Sequence, residues 1–353
     1  MRAVVLGHEE TVHLADVPDP ELVDPGDAIV TIRRAAICGS DLHVINGRIP
    51  GMLPGGVLGH EFTGVVEAVG ADVTNVAVGD RVVGSFLIPC GRCEDCHRRA
   101  YNHCEEPRVL GYGMFFGDLA GAQAERVRVP NATLSLLRIP EGLDDEQVLF
   151  VGDILATAFY VNVLGEVGPG ATVAVQGCGP IGILAIQIAA ARGADRIAAV
   201  DVSADRLVAA RAHGALPVDV SGTNAGVAIE EVLGGGADVV LDTAGGPSEV
   251  LAQTFELVRR GGTIAVVGVY SDFEATIPLN DLWLKGIALR FGGICPVPAL
   301  WHDVLAMVAD TGIDPTAIIS HRLPLEEAVE GYRLFAAHEA LKVVLQVSEP
   351  NPG

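Results

Sequence analysis

No run of 18 consecutive apolar residues occurs in this sequence, so a membrane-spanning helix is not expected. Positive charge is scarce: 23 Lys and Arg stand against 45 Asp and Glu, a formal net charge of −22. Such a surface repels phosphate backbones and excludes nucleic acid as a partner unless a local basic patch exists. Internal repeats, low-complexity tracts and long flexible linkers are absent. Nor are the seven cysteines spread as a disulfide framework, since four crowd into positions 90 to 104. In a reducing compartment that clustering reads as metal binding. The opening MRAVVLGHEE is too short and too soon charged for a signal peptide, so a cytoplasmic location is the expectation.

What is present suits a two-domain enzyme. At 353 residues, half of them hydrophobic and 19% charged, the chain exceeds one ordinary core. Up to about residue 150 it is rich in valine, glycine and proline, with short runs at 28–32, 64–69 and 81–83. These suggest a compact, mainly antiparallel β domain. From Asp144 to Leu164 the pattern is helical, and strands and helices then alternate. Strands are expected at 172–176, 196–200, 238–242 and 263–267, and helices at 180–192, 203–213 and 249–260. That alternation predicts a parallel, doubly wound sheet. From about residue 292, through Pro296 and Pro298 to a closing strand at 342–347, the chain reads as a return to the first domain.

Two short stretches carry chemistry. Cys38-Gly39-Ser40-Asp41-Leu42-His43 places a thiolate, a hydroxyl and an imidazole on one turn, and Gly59-His60-Glu61 adds a second imidazole and a carboxylate. Taken singly, Cys38 reads as a small buried hydrophobe, His60 as a structural histidine and Asp153 as a helix cap. Together, one thiolate, one neutral imidazole and one carboxylate offset the charge of Zn²⁺ and leave its fourth position for an alcohol or aldehyde oxygen. Ser40 and His43 suit removal of the proton, although Ser40 alone reads as a helix cap. Glu61 is open to three readings: a carboxylate behind the ligands, a transient ligand, or an exposed glutamate.

Cys90-x-x-Cys93-x-x-Cys96-x7-Cys104 is the most specific signal. Four thiolates close a tetrahedral zinc with no room for substrate, so the site is structural. An iron–sulfur cluster is the competing reading. Arg92, Arg98 and Arg99 lie in the same loop, where they can offset the surplus negative charge.

Gly177-Cys178-Gly179-Pro180-Ile181-Gly182 follows a strand and opens a helix, and Asp201 ends the next strand. That is the context a dinucleotide fingerprint requires, with the pyrophosphate at the helix N-terminus. Asp201 would accept from the ribose diol and repel a 2′-phosphate, favouring NAD over NADP. Arg206 is able to reach such a phosphate, to pair with Asp201, or to lie over the adenine.

These motifs together resemble the medium-chain, zinc-dependent alcohol dehydrogenase family. The resemblance implies a GroES-like β domain plus a Rossmann doubly wound parallel sheet. Residues 1–153 would form the catalytic domain with its structural-zinc lobe at 90–104, residues 154–291 the NAD-binding domain, and 292–353 the return, with the nicotinamide in the interdomain cleft. Cys38, His60 and Asp153 match the catalytic zinc ligands, and Ser40 and His43 the proton relay. Thr157 and Ile181 match positions at the nicotinamide, and Lys342 a basic contact to the pyrophosphate; Val267 and Val269 are counted with the cofactor contacts. Asp153, where many relatives have cysteine, looks like the formaldehyde dehydrogenase-like and some bacterial secondary-alcohol branches, and 121–130 and 152–157 look like the former. Gly39 offers no side chain where some relatives carry a basic residue.

The expected protein is a homotetramer or homodimer with two zincs per chain, one catalytic and one structural. It would pass hydride between NAD(H) and an aliphatic or aromatic alcohol, aldehyde or ketone. Phe86, Tyr112, Met114, Phe115, Phe116, Trp283 and Ile294 are candidate pocket walls. The alternatives are a formaldehyde dehydrogenase or aldehyde dismutase that retains its NAD, and a non-catalytic zinc- and NAD-binding protein.

Overall fold

Short runs of valine, isoleucine and alanine in the first part of the chain form strands buried along most of their length. The structure, a computed structural model, describes residues 1–270, 272 and 274–348. Two units separate by their internal packing: Met1–Ala156 with the chain from Pro296 on, and Thr157–Cys295.

In the first unit, six strands lie in the order His321–Pro324, Val343–Gln346, Ala28–Ile37, Glu61–Val69, Arg81–Gly84 and Leu136–Arg138, and Arg126–Val129 also pairs with Ala28–Ile37. All the pairings are antiparallel except that of His321–Pro324 with Val343–Gln346. The sheet wraps a core that includes Ile32, Phe62, Val66, Val82, Leu136 and Leu345. Register decides the chemistry here. Val343 stands opposite Ile37, and Ala36 opposite Glu61. The residues one step beyond these pairs are Lys342, Cys38 and His60, so three strand ends reach one corner of the sheet.

The second unit is a six-stranded, wholly parallel sheet. Its order is Leu216–Asp219, Arg196–Asp201, Thr172–Gln176, Ala237–Asp242, Val258–Val266, Ala288–Phe291. Numbered within the unit this is 3-2-1-4-5-6, the doubly wound nucleotide-binding order. The sheet's central strands, Thr172–Gln176, Arg196–Asp201 and Ala237–Asp242, are nearly continuous apolar runs, as a sheet covered on both faces requires. The sequence reading ran one helix too far. The helix Ser248–Leu257 stops where Val258 pairs with Ala237, so 258–260 belong to a strand. It also passed over the strands Leu216–Asp219, whose Pro217 and Asp219 break the apolar pattern, and Ala288–Phe291, which Arg290 interrupts. Among the described residues no single helix is long and apolar enough to cross a membrane.

Candidate catalytic metal centre

Cys38 ends a strand and starts the helix Gly39–Ile45, and it is the N-cap of that helix. The cap reading of Ser40 therefore fails: Asp41, three residues after Cys38, reaches back to accept the Cys38 N–H at 3.0 Å, leaving Ser40 inside the first turn and free to face the site. Gly59 holds φ +91°, and a Cβ there would lie 2.3 Å from Gln123 Cγ. Only glycine lets the chain turn into His60 at this point. Asp153 follows the one-turn helix Phe150–Gly152 and precedes Ile154–Leu164.

The three groups converge. Cys38 Sγ lies 3.8 Å from Asp153 Oδ2, and His60 Nε2 lies 3.2 Å from the same oxygen. All three ligand atoms fall within 4.8 Å of one another, and all three residues are buried. A tetrahedral zinc with ordinary bond lengths would set its S–O edge at ~3.5 Å and its N–O edge at ~3.3 Å. The donor set thus fits zinc in spacing and in charge. Burial lowers the His60 pKa, but Tyr112, Asp41 and Asp153 around the ring more than reverse it and hold it above the usual histidine value.

The surroundings orient these groups. Asp41 Oδ1 lies 3.1 Å from His60 Nδ1, which turns Nε2 toward Cys38 and Asp153. Ser40 Oγ is 3.3 Å from His60 Nε2, at the mouth of the cluster. Tyr112 and Phe86 set ring edges against the imidazole at centroid distances of 5.3 and 6.2 Å, with Phe116 behind Tyr112 at 5.8 Å. Met114 and Phe115 are instead 58% and 70% exposed, so within this unit they form no wall. His43 is half-buried, and burial followed by Arg48 holds its pKa below the usual histidine value.

Glu61 is not the exposed glutamate of the third reading. It is completely buried and paired with Lys342, which is equally buried, and burial pushes its carboxyl up to about 7 against the pull of that lysine. Lys342 Nζ also sits 5.5 Å from the Phe150 ring centroid. Glu61 stands outside the three-ligand cluster.

Cys90, Cys93, Cys96 and Cys104 form a second cluster, with no disulfide among them. Cys90 Sγ and Cys96 Sγ are 3.8 Å apart, the edge (~3.8 Å) of a four-thiolate zinc tetrahedron. The neighbouring arginines do not neutralise it. Arg92 pairs with Glu106, Arg98 with Asp95, and Arg99 donates to the Ala299 carbonyl. Backbone N–H groups take that part: Cys90 N donates to Cys104 Sγ at 3.2 Å, and backbone donors around Cys93 bring its thiol down to about 7. His97 and His103 are outside the cluster.

In the second unit, Gly179 is the N-cap of the helix Pro180–Ala191. A Cβ on Gly182 would lie 1.9 Å from the Gly177 carbonyl, whereas one on Gly179 would meet nothing within 4 Å. The third glycine thus seats the helix on the strand, and the second leaves room for a phosphate. Asp201 is more committed than its sequence reading implied. Its Oδ2 accepts from Cys178 N at 2.7 Å, and its Oδ1 from Val202 N and Ser203 N at 2.8 and 2.9 Å. Arg206 approaches it to 3.9 Å, the pairing among the three options left open. Thr157 is buried; Ile181 and Val267 are half-buried, and Val269 is exposed.

Three residues behind His60 went unread in the sequence. Asp41 had a signal, an acid three residues after the cap position. Gln123 and Tyr332, which join it, had none.

The chain also resembles known proteins along its length. A family model described as an alcohol dehydrogenase GroES-like domain matches residues 24–141, and one described as a zinc-binding dehydrogenase matches 180–310. An uncharacterized zinc-type alcohol dehydrogenase-like protein of Bacillus subtilis (strain 168) is 35% identical, the match covering 98% of this chain and all of that protein. The solved alcohol dehydrogenase TADH from Thermus sp. ATN1 is 44% identical with a TM-score of 0.94, over 99% of this chain and 100% of the other. A protein assigned as a zinc-binding dehydrogenase from Sinorhizobium meliloti 1021, solved with NADP, is 30% identical with a TM-score of 0.85, over 98% and 99% of the two chains.

Proposed function

This chain belongs to the medium-chain, zinc-dependent alcohol dehydrogenase family, and on that premise we propose that it reversibly oxidises an alcohol to an aldehyde or ketone with NAD as hydride acceptor. The observation that carries the reading is the convergence of Cys38, His60 and Asp153 with Ser40 Oγ beside the same histidine nitrogen. When bound, zinc polarises the substrate oxygen and the nicotinamide carries the hydride. The chain does the rest. Asp41 holds the His60 ring so that its Nε2 lone pair faces the metal position. Ser40 takes the hydroxyl proton, and His43, kept neutral by burial, passes it outward. Phe86 and Tyr112 supply an aromatic wall, which suits an aliphatic or aromatic substrate over a sugar.

A second zinc on Cys90, Cys93, Cys96 and Cys104 is part of the proposal, and its role is structural. Asp201 is the ribose contact that favours NAD, with Gly177, Gly179, Pro180, Ile181 and Gly182 at the pyrophosphate. A cytoplasmic homodimer or homotetramer belongs to the same reading. The strand Ala288–Phe291 is the last in its sheet, and Phe291, Trp283 and Leu279 stand 62%, 78% and 68% exposed. An uncovered edge of this kind supports a second copy as its partner.

The test is a spectrophotometric screen of alcohols and aldehydes with NAD and NADP separately, run on protein analysed for zinc. Two zincs per chain and NADH formation are expected, with Asp153→Ala abolishing turnover and sparing NAD binding. Turnover that survives Asp153→Ala would sink the assignment. NAD that persists through desalting, with turnover needing none added, would favour the aldehyde dismutase reading.

A further inference from the structure

Behind the metal cluster, on the side away from Ser40, lies a line of buried polar groups of which the chemistry above uses only Asp41 and His60. Tyr332, on the helix Ala328–Ala336 of the returning C-terminal segment, donates from its hydroxyl to Gln123 Oε1 at 2.8 Å. Gln123 Nε2 donates to Asp41 Oδ2 and to the Ala36 carbonyl, both at 3.2 Å. Asp41 Oδ1 faces His60 Nδ1. Gln123, Asp41, His60 and Tyr332 are 0%, 0%, 1% and 5% exposed, so water does not complete their bonding.

The amide can point only one way. Turned over, Gln123 would set its carbonyl against the Asp41 carboxylate and the Ala36 carbonyl, and its NH₂ would exchange those two acceptors for the Tyr332 hydroxyl alone. In the observed sense it supplies one donor to Asp41 Oδ2, and the Cys38 N–H supplies another. That oxygen is then occupied, and Oδ1, with no hydrogen bond of its own, faces His60 Nδ1 at 3.1 Å. The side chain also fills the space beside Gly59, the residue before the ligand.

We propose that Gln123, its amide oriented by Tyr332, is a positioning residue for the metal ligand His60, so that retention of the catalytic zinc depends on the C-terminal helix. The inference rests on the zinc reading above. Groups behind a ligating histidine typically govern metal affinity by about 10–100-fold. Tyr332→Phe leaves the buried amide carbonyl without its donor and the side chain without its anchor at that end; Gln123→Met keeps the volume and removes the donor to Asp41.

The experiment uses the full-length protein loaded with zinc, or with cobalt at the catalytic position. It follows metal release to a chromophoric chelator, with the four-cysteine zinc as internal reference. Both variants should lose the catalytic metal roughly 10-fold faster or more, and shift the cobalt ligand-field bands, while the cysteine-bound zinc leaves at the wild-type rate. The double variant should fall short of the product of the two single effects, because Tyr332 acts largely through the glutamine while also meeting Asp41. Wild-type release in both variants would overturn the proposal, as would equal loss of both zincs, which would mark general loosening of the fold. Should wild-type protein hold only the cysteine-bound zinc, the catalytic-zinc reading itself fails, a result distinct from either.

Discussion

Replacing Lys342 by methionine tests how the corner where three strand ends meet is held together. The ammonium and the Glu61 carboxylate are 1% and 0% exposed, so neither partner has water to fall back on. Methionine keeps most of the volume and the contact with Phe150 but abandons a buried carboxylate. Breaking such a pair from one side costs about 3–5 kcal/mol. For a unit of this size, each kcal/mol moves the melting temperature by roughly 2–4 °C, so the fall should be on the order of 10 °C. Glu61→Gln in the same background removes the stranded charge, and the double variant should recover at least about 2 kcal/mol of the loss. The assay is calorimetric unfolding of the four proteins of the cycle. Each is measured at matched zinc content, because bound metal adds its own stabilisation. Additivity within about 0.5 kcal/mol, or a Lys342→Met loss under about 1 kcal/mol, would refute the argument that the two charges depend on each other.

Other outcomes follow from the same geometry. His43→Ala should slow alcohol oxidation roughly 10²-fold, most severely at low pH, with partial rescue by small imidazole buffers; a defect equal at every pH in steady-state assays would contradict the relay. Asp201→Asn keeps an acceptor for the loop amides and removes the charge, so the ratio of NAD to NADP turnover should fall; an unchanged ratio would remove Asp201 from cofactor choice. Asp238 is raised by burial, but the Thr172 N–H and hydroxyl and Arg259 outweigh that and leave its carboxyl below the usual value. Its contribution to stability is therefore present above an unfolded pKa near 3.8 and lost as pH falls through the folded value, so Asp238→Asn should destabilise at pH 7 and have little effect in acid, as read by urea unfolding at both.

Much of the site was legible because its chemistry is written in residue types at fixed spacing. Cys38 and His60 lie at the ends of paired strands, and the four cysteines occupy one loop, so local pattern suffices to find them. Asp153 needed the family resemblance, since an aspartate before an apolar helix reads equally well as a cap. The sequence could not place Glu61 or Lys342, because their burial arises from register: Val343 opposite Ile37, and Ala36 opposite Glu61. It could not say where Arg92, Arg98 and Arg99 turn, since exposed arginines take whichever carboxylate the loop presents. In the second unit four parallel strands were found by their apolar runs, and Leu216–Asp219 and Ala288–Phe291, broken by Pro217 and Arg290, were missed for want of one.

The strand Val343–Gln346 is made by the ribosome only after the whole second unit, yet it carries the neighbour that Glu61 needs. A nascent chain therefore presents all three candidate ligands long before the lysine arrives. Until then the half-built sheet must leave its acid in water, and closure of the first unit waits for an elongation event 281 residues downstream of that acid.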